Sequence, residues 1–314
     1  MAPQENRKVQ HEIKVAASAE SVYRLVAEVE NWPQVFPPTV HVEHEERGRT
    51  DERIRIWATA NGEAKTWTSR RSLDPAGLRI EFRQEVSQPP VAAMGGAWVV
   101  EPVSDGHCLV RLFHDYRAVG DDPENLAWID KAVDHNSNAE LAALKAKAEL
   151  AAASSDLLLS FEDTVDVQGS AADVYDFLDE AQLWSERLPH VARVSLREDT
   201  PGLQVLAMDT RTKDGSVHTT ESIRVTFPRR KIVYKQIVLP ALLDLHTGEW
   251  VLTENGDGVT VTSRHTVVIN EANIEAVCGT RAGVAEAREF VQSALSGNSL
   301  ATLGHAKRYA EGRR

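Results

Sequence analysis

Arg71, Ser69 and His114 are the residues whose types and placement suit chemistry. Residues 65–72 read as a strand, and strand side chains alternate between two faces. Trp67, Ser69 and Arg71 then share one face. Thr66, Thr68, Arg70 and Ser72 share the other, which is uniformly polar. The face with the indole should point inward, and it carries a guanidinium with it. A buried charge without partners is very unfavourable. This arginine therefore either meets polar oxygens in a cavity or lays its stem over the tryptophan with its head in solvent. Ser69 suits a hydrogen-bond donor better than a nucleophile, since no nucleophile motif surrounds it, and Cys108 also lacks one. His114 shares an apolar strand face with Val110, Leu112 and Tyr116. Histidine is the usual proton carrier near neutral pH, and a lone inward histidine is also commonly a satisfied core residue. Asp115 points to the opposite face and is a poor partner for it.

The elements that must position these residues occur twice. Ser18-Ala19-Glu20-Ser21-Val22-Tyr23 is echoed 152 residues later by Ser170-Ala171-Ala172-Asp173-Val174-Tyr175. At the same shift Trp32 matches Trp184, Pro37 matches Pro189 and Trp98 matches Trp250. Solenoid repeats are about 20–50 residues long, so this is a duplicated domain of ordinary size. We place the domains at 1–152 and 157–314. Each half opens with a strand, near 9–16 and 159–168. A helix follows with Ser18 or Ser170 as N-cap, and Asp173 sits at capping-box spacing. Its apolar stripe is Val22, Leu25, Val26 and Val29, then Val174, Phe177, Leu178 and Ala181.

Alternating strands fill the middle of each half. Leu78, Ile80, Phe82, Gln84 and Val86 fall on one face, and Arg79, Glu81, Arg83 and Glu85 on the other. That is an antiparallel sheet with one wet face. Each half closes in helix: 123 to about 153 with a bend near 136–138, then 274–295 followed, after 296–298, by 300–311. The fold class is α+β, a curved antiparallel sheet around a long terminal helix with an interior cavity where a small molecule would bind.

The second half repeats the candidate residues less cleanly. Ser222 and Arg224 answer Ser69 and Arg71, and His265 answers His114, but Thr220 replaces Trp67. Ile223, Val225 and Phe227 form the apolar set, so Arg224 falls on the more polar face. Either that cavity is wetter or that face meets solvent. The second half is expected to carry less of the chemistry.

Composition narrows the rest. The net charge of −12 argues against nucleic-acid binding. No apolar run reaches membrane-spanning length. The amino terminus lacks a signal peptide's apolar core, and two distant cysteines fit a reduced cytoplasmic protein. Walker, dinucleotide, nucleophile-elbow and zinc motifs are missing, so neither a cofactor nor a metal is indicated.

At these residues the chain resembles the two-domain aromatase/cyclases of bacterial type II polyketide synthases, with the helix-grip fold of START and Bet v 1 proteins. The resemblance rests on the Ser18–Tyr23 helix start, Asn31-Trp32-Pro33, Trp67-Thr68-Ser69-Arg70-Arg71, Met94-Gly95-Gly96-Ala97-Trp98 and Phe113-His114-Asp115. It implies that Arg71 is catalytic or substrate-orienting, with Ser69 and His114 beside it. It implies a pocket wall of Trp32, Phe36, Trp67, Phe82, Met94, Trp98 and Tyr116. A second pocket would use Trp184, Ser222, Arg224, Trp250 and His265. Thr39 stands near the place where single-domain relatives carry a tyrosine.

The implied substrate is a poly-β-ketone on an acyl carrier protein, reduced at C9 and closed between C7 and C12. Transient contacts with other polyketide synthase enzymes are implied with it. Methylenes between two carbonyls are acidic, so the protein mainly selects which carbons meet. Arg71 would stabilise the developing oxyanion, Ser69 would orient it, and His114 would move the protons. The rival reading is a non-enzymatic carrier of a small hydrophobic ligand, since fold alone does not separate the two.

Overall fold

The computed structural model describes residues 6–60, 62–153, 156–211 and 217–313. The chain divides into two compact units, Met1–Ser155 and Asp156–Arg314. In the first, β1 (Arg7–Val15) leads to α1 (Ala19–Ala27) and the single turn α2 (Trp32–Val35). Then come β2 (Thr39–Arg47), β3 (Asp51–Ala60), β4 (Glu63–Asp74), β5 (Arg79–Gln84), β6 (Val91–Ser104), β7 (His107–Ala118) and α3 (Pro123–Ala153). The second repeats the plan. Its strands are β8 (Leu158–Val167), β9 (Val191–Thr200), β10 (Leu203–Arg211), β11 (Val217–Phe227), β12 (Lys231–Val238), β13 (Leu243–Asn255) and β14 (Gly258–Ile269). Its helices are α4 (Ala171–Asp179), α5 (Trp184–Arg187), α6 (Ile274–Cys278) and α7 (Val284–Glu311).

Each unit has one seven-stranded antiparallel sheet, ordered β1-β7-β6-β5-β4-β3-β2 and β8-β14-β13-β12-β11-β10-β9. The first strand therefore pairs with the last, and the middle strands form a meander. The terminal helix packs on the two strands at that end: α3 on β1 and β7, α7 on β8 and β14. This is the α+β helix-grip plan, present twice.

The helix starts follow from their caps. Ser18 Oγ accepts from the Ser21 amide at 3.2 Å, and Ser170 Oγ from the Asp173 amide at 3.0 Å. Each satisfies one amide that the first turn leaves without a partner. On the inner face of α3, Ile129, Val133, Leu141 and Leu144 are buried against the sheet.

Three local expectations change. Val86 lies beyond the end of β5 and is 66% exposed, because the strand stops at Gln84. The helix α3 runs through 136–138 without interruption; Asn138 Nδ2 donates to the Asp134 carbonyl at 2.8 Å and so stays within the helix. In the second unit the break lies earlier than 296–298. It falls at 279–283, where Gly279 takes a positive φ of 102° and ends α6, and α7 continues through Gly297. Residues 154–155, between α3 and the second unit, lie outside the described residues.

Candidate active site

Arg71 is held from two sides. It stands directly opposite Glu52 on β3 and Phe82 on β5. Its Nη1 donates to Glu52 Oε1 at 2.8 Å and to the Ala27 carbonyl at 3.4 Å. Its Nη2 donates to the Val26 carbonyl at 2.8 Å. These carbonyls belong to the last turn of α1, where a cation is favoured by the helix dipole. The guanidinium also lies 5.0 Å from the ring centre of Trp32. Arg71 is 3% exposed, so its head does not reach solvent, and the tryptophan under it is Trp32 and not Trp67. Burial lowers its pKa to about 10, against the pull of Glu52. It remains a cation at neutral pH.

Glu52 is the partner that sequence reasoning missed. It alternates with Ile54, Ile56 and Ala58 on the inward face of β3, and all four are buried. A carboxylate alternating with inward apolar residues on β3 was the available signal. Its other oxygen, Oε2, meets His44 Nε2 at 2.9 Å.

The aromatic wall is continuous. Trp32 meets Phe36 edge-on at 5.5 Å, and Phe36 meets Trp98 at 6.0 Å. Trp32 Nε1 donates to the Val26 carbonyl at 3.1 Å, the same oxygen that Arg71 uses. Trp67 packs instead with Val29, Val42 and Ile54. Ser69 is buried, and its hydroxyl donates to the Arg83 carbonyl at 3.1 Å. It is thus tied to the sheet. Tyr23, on α1, was also missed. Its hydroxyl is buried and has no partner among the described residues. Burial raises its pKa, and the Arg71 charge pulls it partly back.

His114 lies opposite Gly96. A Cβ at Gly96 would come within 2.8 Å of the Phe82 ring, so glycine there lets Phe82 reach across to His114, 5.5 Å away. His114 Nδ1 shares a hydrogen bond with Ser137 Oγ on α3 at 3.3 Å. Burial, chiefly, lowers its pKa to about 4, so it is a neutral imidazole near pH 7. Asp115 points away and binds Arg83 at 2.5 Å. One turn beyond Ser137, on the same face of α3, stands Glu140. It is half-buried, without a partner among the described residues, and burial raises its pKa to about 7. A polar residue among apolar helix positions was its only sequence signal. Met94 and Tyr116 pair with each other across β6 and β7 and join Ile129 and Val133 in a separate cluster. Tyr116 donates to Asp130 Oδ1 at 2.5 Å.

The polyketide cyclase/dehydrase and lipid transport family model matches this chain twice, over residues 6–149 and 159–311. The chain belongs to this family. It is 52% identical over 297 residues to the granaticin polyketide synthase bifunctional cyclase/dehydratase of Streptomyces virginiae, covering 94% of this chain and 97% of that protein. It is 49% identical over 314 residues to the corresponding actinorhodin protein of Streptomyces coelicolor, covering 97% and 96%. Among solved structures, the di-domain ARO/CYC BexL from the BE-7585A biosynthetic pathway matches with a TM-score of 0.92 and 65% identity, covering 97% of this chain and 99% of BexL. The di-domain ARO/CYC StfQ from the steffimycin pathway matches with a TM-score of 0.88 and 37% identity, covering 97% and 99%.

The second cyclase-family domain buries its arginine too. Arg224 is 1% exposed, so its strand face does not meet solvent. Its Nη2 donates to the Leu178 carbonyl at 2.6 Å, and its guanidinium lies 5.3 Å from the Trp184 ring centre. Trp184 and Trp250 meet edge-on at 5.9 Å. His265 Nε2 shares a hydrogen bond with Ser299 Oγ on α7 at 2.7 Å, as His114 does with Ser137. Ser222 is half-buried and faces Leu206 and Gln236 across its neighbouring strands. Among the described residues, no group of three or more His, Cys, Asp or Glu side chains could hold a metal, and no helix is long and apolar enough to cross a membrane.

Proposed function

We propose that this protein is a polyketide aromatase/cyclase whose first domain closes and dehydrates the first ring of a poly-β-ketone presented by an acyl carrier protein. The observation that carries this reading is the inner face of β7 and α3. It carries two groups suited to proton transfer, His114, which lies against the Phe82 ring, and Glu140, one turn beyond the serine that His114 meets. Bifunctional cyclase/dehydratase relatives over nearly the whole chain support it.

Neutral His114 takes a methylene proton, and the resulting enolate carbon attacks a ketone carbon held near it by the aromatic wall. A carbon–carbon bond forms, and the ketone oxygen becomes an alkoxide. That oxygen takes the proton back from His114, leaving a β-hydroxy ketone. His114 then takes a second proton, from the carbon between the two groups, and hydroxide is expelled. Glu140, poised near neutral pH, supplies the proton with which it leaves as water. Arg71 keeps a fixed positive charge beside this chemistry. The Tyr23 hydroxyl is the free donor in its field. Ser69 orients through the sheet. The regiochemistry in this reading is C7–C12 on a C9-reduced chain, with a cytoplasmic site of action.

The carrier reading has one observation in its favour: Glu52 already neutralises Arg71, as a binding interior would permit. The two separate in a minimal polyketide synthase reconstituted with its ketoreductase. Addition of the protein should shift the products to an aromatised first ring, and His114→Phe should slow that shift while ligand binding persists. An unchanged product mixture on adding wild-type protein would favour the carrier.

A further inference from the structure

The buried ion pair of the first domain does not end at Glu52. Glu52 Oε1 accepts from Arg71 Nη1 at 2.8 Å, and its Oε2 meets His44 Nε2 at 2.9 Å. His44 lies on β2 opposite Ile54, on the same inward face as Glu52. Its other ring nitrogen, Nδ1, stands 3.4 Å from Glu30 Oε1, in the turn between α1 and α2. Glu30 Oε1 also accepts from Arg47 Nη1 at 3.1 Å, and both of these side chains are exposed. Both nitrogens of His44 thus face carboxylates. A neutral imidazole has one N–H and would turn a lone pair to one of them; the imidazolium donates to both. The inner trio of Arg71, Glu52 and His44 then holds two cations to one anion. The charges of Glu30 and Arg47 are screened by solvent.

The duplication supplies a comparison. Gln204 lies opposite Arg224, where Glu52 lies opposite Arg71. Leu196 lies opposite Leu206 at the place of His44, and Gln182 holds the place of Glu30 two residues before the tryptophan. All three members of the chain are therefore uncharged in the second domain. Arg224 is buried there all the same, against Trp184 as Arg71 is against Trp32. The carboxylates of that site, Asp179 and Glu198, accept from Gln204 Nε2 at 3.2 and 2.9 Å. Burying the arginine thus does not require a histidine behind its partner.

We propose that His44 is a positioning residue of the first-domain reaction: it holds Glu52 and, as a cation, offsets the Glu52 charge, so that the positive field of Arg71 reaches the oxyanion that develops on the substrate. Glu30 fixes the imidazole from the turn that leads into Trp32. Neutralisation of Arg71 by Glu52, the feature that a carrier would permit, is thereby undone. The inference rests on the cyclase reading of the first domain. Because the oxyanion forms only along the reaction, the offset acts on the rate of ring formation and not on substrate binding.

The test uses the full chain in a minimal polyketide synthase with its ketoreductase, and reads the ratio of aromatised first-ring product to spontaneously cyclised product. His44→Gln keeps hydrogen-bonding groups and loses the charge. Its ratio should fall about tenfold, the size expected of one unit charge roughly 10 Å away at an effective dielectric of about 20. His44→Lys keeps a cation in a different shape and should recover most of that loss. A merely structural histidine would give the opposite order, since glutamine is the closer mimic of its hydrogen bonds. Urea unfolding checks that each variant folds. Should His44→Gln fail to fold, His44→Leu/Glu30→Gln carries the second domain's own residues, leaves the Arg71–Glu52 pair intact, and should show the same tenfold fall. A folded neutral variant within about twofold of wild type, or His44→Lys no better than His44→Gln, would overturn the proposal while the cyclase reading stands. Wild-type protein that delivers no aromatised ring would overturn the cyclase reading, and this inference with it.

Discussion

Glu52 faces Arg71 across β3 and β4 and accepts a hydrogen bond from its Nη1 at 2.8 Å, with both side chains out of solvent. A buried pair of this kind gives little net stability, but breaking it leaves an isolated charge. Removing Arg71 alone therefore strands Glu52, and the two must be changed together to separate chemistry from folding.

Glu52→Gln places the second domain's residue in the first. It removes the negative charge while keeping the shape, so Arg71 is left with neutral acceptors and no counter-ion. A loss of about 3 kcal/mol is expected, read from urea unfolding of the full chain. A loss below about 1 kcal/mol would show that neutral acceptors suffice to hold the guanidinium.

Tyr23→Phe deletes a buried hydroxyl that lacks a partner among the described residues. Folding should be unchanged or favoured by about 1 kcal/mol. If this hydroxyl meets the substrate oxygen, ring formation falls about tenfold or more. Thermal melting and the rate of ring formation, measured on one preparation, would separate these effects. An unchanged rate would remove Tyr23 from the mechanism.

Much of this was legible in the sequence, and the exceptions have physical causes. The duplication, the Ser18 and Ser170 caps and the alternation on β4 are local patterns, and local patterns survive into structure. Glu52 is different. It meets Arg71 only because β3 pairs with β4 in one register, which residue spacing does not declare. Ser137 and Glu140 interrupt an apolar helix stripe and read as solvent-facing positions until the sheet beneath the helix is known. Residues 296–298 contain the usual helix breakers, yet Gly297 sits inside α7, and the chain breaks at the positive φ of Gly279.

The depressed histidines give a stability profile with a definite sign. His114, His246 and His265 have folded pKa values of about 4, 3 and 4, below the ordinary 6.5. Between those values the unfolded chain binds more protons, so stability rises with pH. It should be fully present above about 6.5 and lost as pH falls toward 4. His246→Met should flatten that slope in equilibrium unfolding; an unchanged slope would contradict the burial of neutral His246.

Glu140 has the opposite sign. Its folded pKa, raised to about 7 from 4.5, lets the folded chain bind more protons between those values. Its contribution is present below about 4.5 and lost as pH rises through 7. Glu140→Gln should stabilise the protein at pH 8 and slow dehydration, removing any limb near pH 7 from the rate profile. A rate profile identical to wild type would exclude Glu140 as the acid.

The most direct test of the first-domain site is the double variant Arg71→Met/Glu52→Leu. Replacing a buried ion pair with apolar residues of similar volume is often neutral for folding, so the variant should melt near wild type. In a minimal polyketide synthase with its ketoreductase, the wild-type protein should direct the products to an aromatised first ring, and the double variant should lose that direction. A folded double variant that still delivers the aromatised ring would contradict a role for the Arg71 charge in the reaction.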